Sequence, residues 1–342
     1  MKRHLKIVYK VQITDRLSTR RLQVAMLYFV LLILLLSSCN QKRGVIQKHI
    51  PNRDIVFQFD NIAKDGPDQV GFINADGSNL IFLESTPYTF FEPQWAGVDN
   101  RCLLVTHSQG FLSCLDKTGR LSRIRPGESL GGASPIPDKN EIYIVRSSSD
   151  HKGTVLHRIN LISGEFLQTF PSVDNWAIDL GTNAQTGNLV VYSRTQYDKE
   201  NNPQKTELVV FNLKDMTTRV LVQYEIEDPV ADASILNPAI SPDGRWVVYT
   251  TSDGLHLIHP DGSGDKLLVS IPDWNFAWPV YTWAPKASWS PDSQWIVYHQ
   301  CVGDSCIVPD RTGRAIYKIN VDTKKTKLLV KGGINPYWKL SE

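Results

Sequence analysis

The sequence lacks the local signatures by which many enzymes and nucleic-acid-binding proteins are recognised. It contains no HExxH, no GxSxG and no glycine-rich phosphate loop. An SxxK match at Ser149 and Lys152 has no helix signal or partner motif around it, so chance explains it better. Residues 1–38 hold seven of the 37 basic residues and one of the 35 acidic ones, and the remainder has a formal charge of −4. This balance excludes a general basic surface, and we expect no nucleic-acid partner.

Cysteine is scarce, and its spacing argues against a metal site. The five cysteines include no Cys-x-x-Cys. Cys102 and Cys114 lie on the two arms of a predicted hairpin, while Cys301 and Cys306 are five residues apart in one connection. Two local disulfides are predicted, as in an oxidising compartment; a zinc site of four thiolates is the alternative. The acidic residues at 60–68 and 225–232 lack the DxDxDG spacing of a calcium loop, and no metal or cofactor is expected.

The apolar run at residues 24–36 is too short for an ordinary membrane span. It has 13 residues, whereas the hydrocarbon core needs roughly 20 residues of helix. Arg20 and Arg21 precede it, and small residues follow it, which is typical of a secretory signal peptide. We therefore predict a signal peptide over residues 1–38. An uncleaved signal anchor is the alternative.

The end of this run, Leu-Ser-Ser-Cys at residues 36–39, resembles the lipobox of bacterial lipoproteins. The resemblance implies that the thiol of Cys39 is acylated and that Cys39 becomes the first residue of the mature chain. Two or three acyl chains give stable membrane attachment where one would not. We thus expect a membrane-anchored lipoprotein on the extracytoplasmic side of the bacterial cell envelope. Residues 39–53, polar and without strand alternation, are predicted to hold the anchor site and a tether.

Residues 237–270 contain a unit that recurs along the chain. The stretch NPAISPDGRWVVYTTSDGLHLIHPDGSGDKLLVS has four short strand signals, rich in β-branched and aromatic residues. Three turns of the type Pro-Asp-Gly or Ser-Asp-Gly separate them. Four antiparallel strands joined by tight turns cannot bury both faces alone, so such a unit needs stacked copies of itself.

Counting the copies predicts the fold. The second-strand signal occurs six times: DIVFQF, CLLVTH, EIYIVR, LVVYSR, WVVYTT and WIVYHQ. The first strand precedes only five of them, and the missing copy lies at the other end of the chain. There, Trp338 follows Trp289 by 49 residues, as Trp289 follows Ile240. We predict an all-β, six-bladed β-propeller over residues 54–342, closed by a C-terminal strand that completes the first blade.

The SPDG…WVVY…DG and SPDS…WIVY…D series resembles the WD40-like repeat of the periplasmic TolB propeller and its relatives, most clearly over residues 237–342. The resemblance implies the architecture and an envelope location. It does not imply a role in the Tol-Pal system, because strands begin within about 16 residues of Cys39 and leave no room for the N-terminal domain of TolB. Such blades serve binding proteins, scaffolds and peptidase accessory domains alike.

The positions of the long loops predict which face of the propeller binds a ligand. They occur at residues 84–92, 194–205, 223–236, 271–285 and 300–313, all of which emerge on the same face. Aromatic side chains in two of them could anchor a ligand. These candidates are Trp274, Phe276, Trp278, Tyr281, Trp283, Tyr88 and Phe91. The alternative is that some of these rings fill the gap between blades five and six.

Two functions of different classes remain. The first is a monomeric, non-enzymatic module that binds a protein, a peptide or an envelope glycan on the loop-rich aromatic face. The second is a propeller-type glycan hydrolase or lyase with carboxylates at the axis. Two carboxylates facing each other across the axis at roughly 5 to 9.5 Å would favour the enzyme.

Overall fold

The computed structural model describes residues 50–339, apart from residues 60–68, 84–89, 108–110, 125–131, 148–152, 171–172, 175, 183–187, 201, 227–234, 271–285 and 302–312. At strand residues 107, 147, 153, 173–174, 176–182 and 301 it describes the backbone alone. The described residues belong to the unit Ile46–Glu342. Within them, no helix has the length and apolarity of a membrane span. The predicted signal peptide, Cys39 and most of the predicted tether lie outside the described residues.

The described residues form 25 strands in six antiparallel sheets, the blades of a propeller. Blade 1 comprises β1 (Ile55–Phe59), β2 (Gln69–Ile73) and β3 (Ile81–Phe82), together with the C-terminal strand β25 (Gly333–Trp338). Blade 2 comprises β4 (Phe90–Ala96), β5 (Cys102–His107), β6 (Leu112–Asp116) and β7 (Leu121–Arg123). Blade 3 comprises β8 (Ala133–Pro135), β9 (Glu141–Ser147), β10 (Gly153–Asn160), β11 (Phe166–Thr169) and β12 (Val173–Asp174). Blade 4 comprises β13 (Trp176–Thr182), β14 (Leu189–Tyr197), β15 (Pro203–Asn212) and β16 (Thr217–Glu225).

The C-terminal third of the chain follows the same plan. Blade 5 comprises β17 (Leu236–Ile240), β18 (Val247–Thr251), β19 (Gly254–Ile258) and β20 (Lys266–Ser270). Blade 6 comprises β21 (Ala287–Trp289), β22 (Trp295–Cys301), β23 (Arg314–Asn320) and β24 (Thr326–Lys331), and β25 (Gly333–Trp338) follows it. The inner strands contact one another in the circular order β25, β4, β8, β13, β17, β21 and back to β25.

The SPDG motif forms the turn between the first and second strands of blade 5. Ser241 Oγ donates a hydrogen bond to Asp243 Oδ1 at 2.6 Å and accepts one from the Trp246 N–H at 2.9 Å. Gly244 takes the positive φ of 74° that the turn requires. The SPDS turn of blade 6 repeats both hydroxyl bonds. The repeat is visible in the sequence because each turn is closed by residues close together in the chain.

The hydrophobic core is divided among the six junctions between neighbouring blades. The second strands are the most completely buried, and every residue of β18 is inaccessible to solvent. At the first junction, the ring of Phe72 in blade 1 lies 5.9 Å from that of Trp95 in blade 2. At the fourth, Tyr249 of blade 5 packs with Leu208 of blade 4. Each blade therefore depends on both neighbours for its burial.

The last strand closes the ring by completing the first blade. β25 pairs antiparallel with β1, with Ile55 opposite Trp338 and Phe59 opposite Gly333. The Trp338 N–H donates to Ser288 Oγ of blade 6 at 3.0 Å, and its ring is buried between blades 6 and 1. The prediction of six blades with a C-terminal closing strand is confirmed.

Some predicted boundaries were wrong. Residues 194–205 were expected to be a loop, but β14 continues to Tyr197 and β15 starts at Pro203. The physical reason is that Glu207 of β15 pairs with Arg194 across the two strands and with Lys205 two residues away on its own strand, so these charged residues lie inside a sheet. Inner strands also start earlier than the sequence indicates, as β4 does at Phe90.

Candidate functional site

The two ends of the propeller ring differ in their connections. In every blade, the first strand starts, the second ends and the third starts at one end, which we call the loop end. At the opposite end, the turn end, short turns such as residues 241–246 and 259–263 join the strands. The connections predicted to bind a ligand leave from the loop end. Much of their length, including all of residues 271–285, lies outside the described residues.

Six equivalent positions surround the axis at the loop end, one per inner strand. Their equivalence follows from the register between each inner strand and the second strand of its blade. In order around the ring from blade 1, they hold Asn335, Glu92, Gly132, Asp179, Asn237 and Lys286. We call this set the mouth ring. Its polar members occupy five consecutive blades, 4, 5, 6, 1 and 2, and at Asp179 the structure describes the backbone alone.

Three members of the mouth ring adopt a left-handed backbone conformation. Glu92, Asn237 and Asn335 have φ of 49°, 51° and 48°, and a proline follows each one. Each lies where the pairing between the inner and second strands shifts register, and such a bulge re-aims a side chain. A non-glycine residue held there costs on the order of 1–3 kcal/mol. The same backbone conformation recurs in three blades, so this bulge is a shared feature of their inner strands.

An ion pair joins two members of the mouth ring. Glu92 Oε2 lies 3.2 Å from Lys286 Nζ, and the two side chains are 42% and 22% exposed. Glu92 belongs to blade 2 and Lys286 to blade 6, so the pair bridges two blades that flank blade 1. A pair this exposed stabilises the fold by at most about 1 kcal/mol. Both charges are within reach of a ligand that enters the mouth.

Buried polar groups support this pair from below. The ring of His299 in β22 is buried, and its Nδ1 accepts hydrogen bonds from the backbone N–H groups of Lys286 and Asn335, each at 3.2 Å. Because Nδ1 accepts both bonds, the neutral ring carries its hydrogen on Nε2. Asn335 Nδ2 donates to Oε1 of buried Gln58 at 3.1 Å. The mouth ring is thus fixed to the second strands of blades 6 and 1.

The chemistry of this site is that of polar recognition. Its described side chains present one carboxylate, one ammonium group and two amides on a hydrogen-bonded frame. Among the inner-strand side chains that the structure describes, Glu92 is the single carboxylate, and it is paired with Lys286. The facing pair of carboxylates typical of glycoside chemistry is not formed by these residues. In the described ranges, no three His, Cys, Asp or Glu side chains are grouped to hold a metal ion.

Most of the aromatic candidates cannot be placed. Trp274, Phe276, Trp278, Tyr281, Trp283 and Tyr88 lie outside the described residues. Phe91 lies in β4, half-buried and opposite Thr106, immediately before Glu92. In the chain, residues 271–285 end directly before Lys286 and residues 84–91 directly before Glu92. Both aromatic segments therefore lead into the two charged members of the mouth ring.

One of the two predicted disulfides is present. Cys102 in β5 and Cys114 in β6 are joined, with their Cα atoms 5.5 Å apart. This confirms the prediction for the first pair. Cys301 ends β22, where the backbone alone is described, and Cys306 lies outside the described residues. The second disulfide stays a prediction.

The mouth ring matches no catalytic or binding motif, but the sequence contains a repeated pattern at its positions. Glu92 and Asn335 each precede a proline and lie three residues before a buried tryptophan, and Asn237 stands in the same relation to Ile240. A polar residue followed by proline at the start of several inner strands would have marked the site.

Comparisons with known proteins bear on the fold. No protein-family model and no curated protein matches the chain. A solved structure described as TolB from Agrobacterium tumefaciens matches with a TM-score of 0.55 and 14% identity, covering 83% of this chain and 92% of that one. Oligogalacturonate lyase from Vibrio parahaemolyticus matches with a TM-score of 0.48 and 15% identity, over 82% and 74% of the chains. The first match shows that the chain shares the propeller fold of that structure.

Proposed function

We propose that this propeller is a non-enzymatic binding module that holds a protein, a peptide or an envelope glycan at its loop end. The observation that supports this most is the mouth ring, where Glu92 and Lys286 are paired, solvent-accessible and fixed by buried polar groups. A preformed set of polar groups at the mouth of a rigid scaffold is the usual arrangement of a binding site.

The aromatic segments fit the same role. Residues 271–285 and 84–91 directly precede Lys286 and Glu92 in the chain. Aromatic side chains provide large contact areas at low entropic cost, and the charged pair provides orientation. In this proposal the aromatic residues supply affinity and the mouth ring supplies specificity.

The enzyme alternative needs an axial carboxylate free to act as acid, base or nucleophile. Glu92 is not free in this sense, because Lys286 Nζ lies 3.2 Å from its Oε2 and pairs with it. The binding function therefore has the better support from the described side chains.

The proposed location is the extracytoplasmic side of the cell envelope, where the chain acts as a monomer anchored by lipidated Cys39. The disulfide between Cys102 and Cys114 supports an oxidising compartment. Changing Cys39→Ser should release the protein into the soluble fraction. If that variant stays membrane-bound and uncleaved, the anchor is a helix.

Affinity capture from solubilised membranes tests the binding function. The bait is the full-length chain, either as wild type, with Trp274, Trp278 and Trp283 changed to Ala, or with Glu92→Gln. A matched control, Asp243→Asn, makes the same carboxylate-to-amide change at the turn end. We expect both loop-end variants to lose partners that the wild type and the control retain. Equal capture by all four baits would contradict the proposal.

A further inference from the structure

Blade 4 extends beyond the other blades at the loop end. Its strands β14, β15 and β16 have 9, 10 and 9 residues, and the corresponding strands of blade 5 have 5 each. The outer strands of the other blades have between 2 and 6 residues. Relative to blade 5, the additional residues are 195–197, 203–206 and 224–226. At about 3.3 Å per residue, this three-stranded extension rises about 10 Å.

Two polar clusters make the extension rigid. The carboxylate of Glu207, only 2% exposed, accepts a hydrogen bond from Arg194 Nε at 2.5 Å and pairs with Lys205 Nζ at 3.0 Å. At the tip, Asp198 accepts hydrogen bonds from the N–H groups of Glu200 and Asn202 at 2.9 and 2.8 Å. The extension is therefore a preformed sheet and needs no ordering when it meets a partner.

The extension ends in a free edge. β16 is the outer strand of its sheet and pairs with β15 alone among the described strands. The Ile226 N–H donates to the Gln204 carbonyl at 2.7 Å, which makes this a hydrogen-bonded pair. In antiparallel pairs such positions alternate, so the N–H and C=O groups of Gln223 and Glu225 point away from β15. The edge thus presents backbone donors and acceptors to an additional strand.

The two halves of this edge differ in features that discourage pairing with a further strand. The lower half, residues 217–220, has such features, and the upper half, residues 222–225, does not. A register shift falls between Val220 and Val222, and exposed Arg219 lies below it. Bulges and charges of this kind protect edge strands from non-specific pairing. Above the shift, residues 222–225 pair regularly with β15.

The surroundings of the upper edge are acidic. Tyr224 packs with Tyr249 at the junction with blade 5, where the carboxylate of Asp265 accepts a hydrogen bond of 2.8 Å from the Tyr249 hydroxyl. Burial raises the pKa of the Tyr224 phenol, and the charges of Asp265 and Asp253 raise it further. The side chain of Asp253 is 61% exposed and that of Asp265 is 40% exposed. Although partial burial acts against it, hydrogen bonds from Thr251 and His256 hold the pKa of Asp253 below its usual value, so it is charged near neutral pH. On the other side of the strand, Glu225 adds a further exposed carboxylate.

We propose that the upper edge of β16 binds an extended peptide segment by strand addition, and that the segment carries a basic side chain beside Tyr224, Asp253 and Asp265. Backbone hydrogen bonds to Gln223 and Glu225 supply the docking. The two aspartates select lysine or arginine over an acidic residue at the facing position. This surface lies on the outer rim and is separate from the mouth ring.

Two synthetic nonapeptides test the proposal. Both alternate threonine and valine and have blocked ends; one has lysine at its centre and the other glutamate. Fluorescence anisotropy against the full chain should show that the lysine peptide binds at least about fivefold more tightly. Gln223→Pro removes an outward N–H without removing a bond to β15, and should weaken binding by about tenfold or more. Gln223→Ala, which keeps the N–H, should stay within about threefold of wild type.

The aspartates have their own test. In the double variant Asp253→Asn, Asp265→Asn, the preference for lysine over glutamate should disappear while binding of both peptides persists. Circular dichroism establishes that each variant is folded. The proposal is overturned if neither peptide binds the wild type, if folded Gln223→Pro binds as well as Gln223→Ala, or if the double variant keeps the preference.

Discussion

The polar side chains at the two ends of the propeller have different partners. At the turn end, Asp243, Asp261 and Asp116 bond hydroxyl groups in their own turns, two residues away. At the loop end, Asn335 bonds Gln58 across 277 residues of sequence, and Glu92 pairs with a lysine of another blade. The turn-end carboxylates close their own turns, as Asp198 and Asp253 also do at the loop end, whereas the polar groups around the axis at the loop end pair between separate blades. This difference supports the proposal that the loop end binds the ligand.

The carboxylates at the two ends owe their lowered pKa values to different partners. The pKa values of Asp76, Asp215 and Asp261 at the turn end lie below the ordinary value, mainly because hydroxyl groups of neighbouring serine or threonine residues donate to them. These carboxylates are bound to their turns and charged at neutral pH. At the loop end, the buried Glu207 also has a lowered pKa. There the hydrogen bonds from Lys205 and Arg194, together with the charge of Arg194, outweigh the effect of burial.

The largest expected effect on stability comes from weakening the closure between the last strand and the first blade. Trp338→Ala removes a buried ring at the closure between blades 6 and 1 and should lower the free energy of unfolding by about 3–5 kcal/mol. Thermal denaturation followed by circular dichroism measures it. An unchanged midpoint would mean that β25 does not close the ring.

The next effect concerns the buried carboxylate of the loop end. Glu207→Gln leaves Arg194 and Lys205 without their anionic partner and should cost about 3 kcal/mol near neutral pH. Because the folded-state pKa of Glu207 is lowered, its contribution is present above its unfolded-state pKa of about 4.3 and is lost as pH falls through the folded value. Urea titrations from pH 7 to pH 3 should therefore show a smaller acid loss in the variant than in the wild type. Parallel curves would contradict this.

A smaller effect is expected at the turn end. Asp243→Ala removes the acceptor of the Ser241 hydroxyl and should cost about 1 kcal/mol, without changing partner capture at the loop end. The same urea titration and the same pull-down measure both quantities. If this folded variant lost the captured partner, the turn end would also contribute to binding, and the contrast between the two ends would be wrong.

The smallest effect on stability should come from the mouth ring. Glu92→Gln removes an exposed ion pair and should change the free energy of unfolding by less than about 1 kcal/mol, whereas capture of the loop-end partner should fall at least about tenfold. Quantitative immunoblotting of captured partner against bait measures the second quantity. Large destabilisation with unchanged capture would make the pair structural.

The fold could be predicted from the sequence because its signals are local and repeated. The SPDG and SPDS turns each close within a few residues and lie 49 residues apart, and the second-strand signal occurs six times, so counting copies was enough to place Trp338 beside β1. The arrangement of the candidate site could not be predicted in the same way. Asn335, Gln58 and His299 meet only through closure of the ring, and the proline that follows Glu92 and Asn335 does not indicate which side chains those residues contact. The extension of blade 4 was missed because Arg194 and Lys205 resemble loop residues until Glu207 is seen between them.

Exchanging the charges of the mouth ring tests the central claim most directly. The double variant Glu92→Lys, Lys286→Glu restores an ion pair with reversed polarity between blades 2 and 6. Its unfolding midpoint and its capture of the loop-end partner are compared with those of the wild type and of each single change. We predict that the midpoint returns to the wild-type value while capture stays lost, because the ligand contacts each charge at its own place. Recovery of capture together with the midpoint would contradict a binding role for the loop end's charged pair.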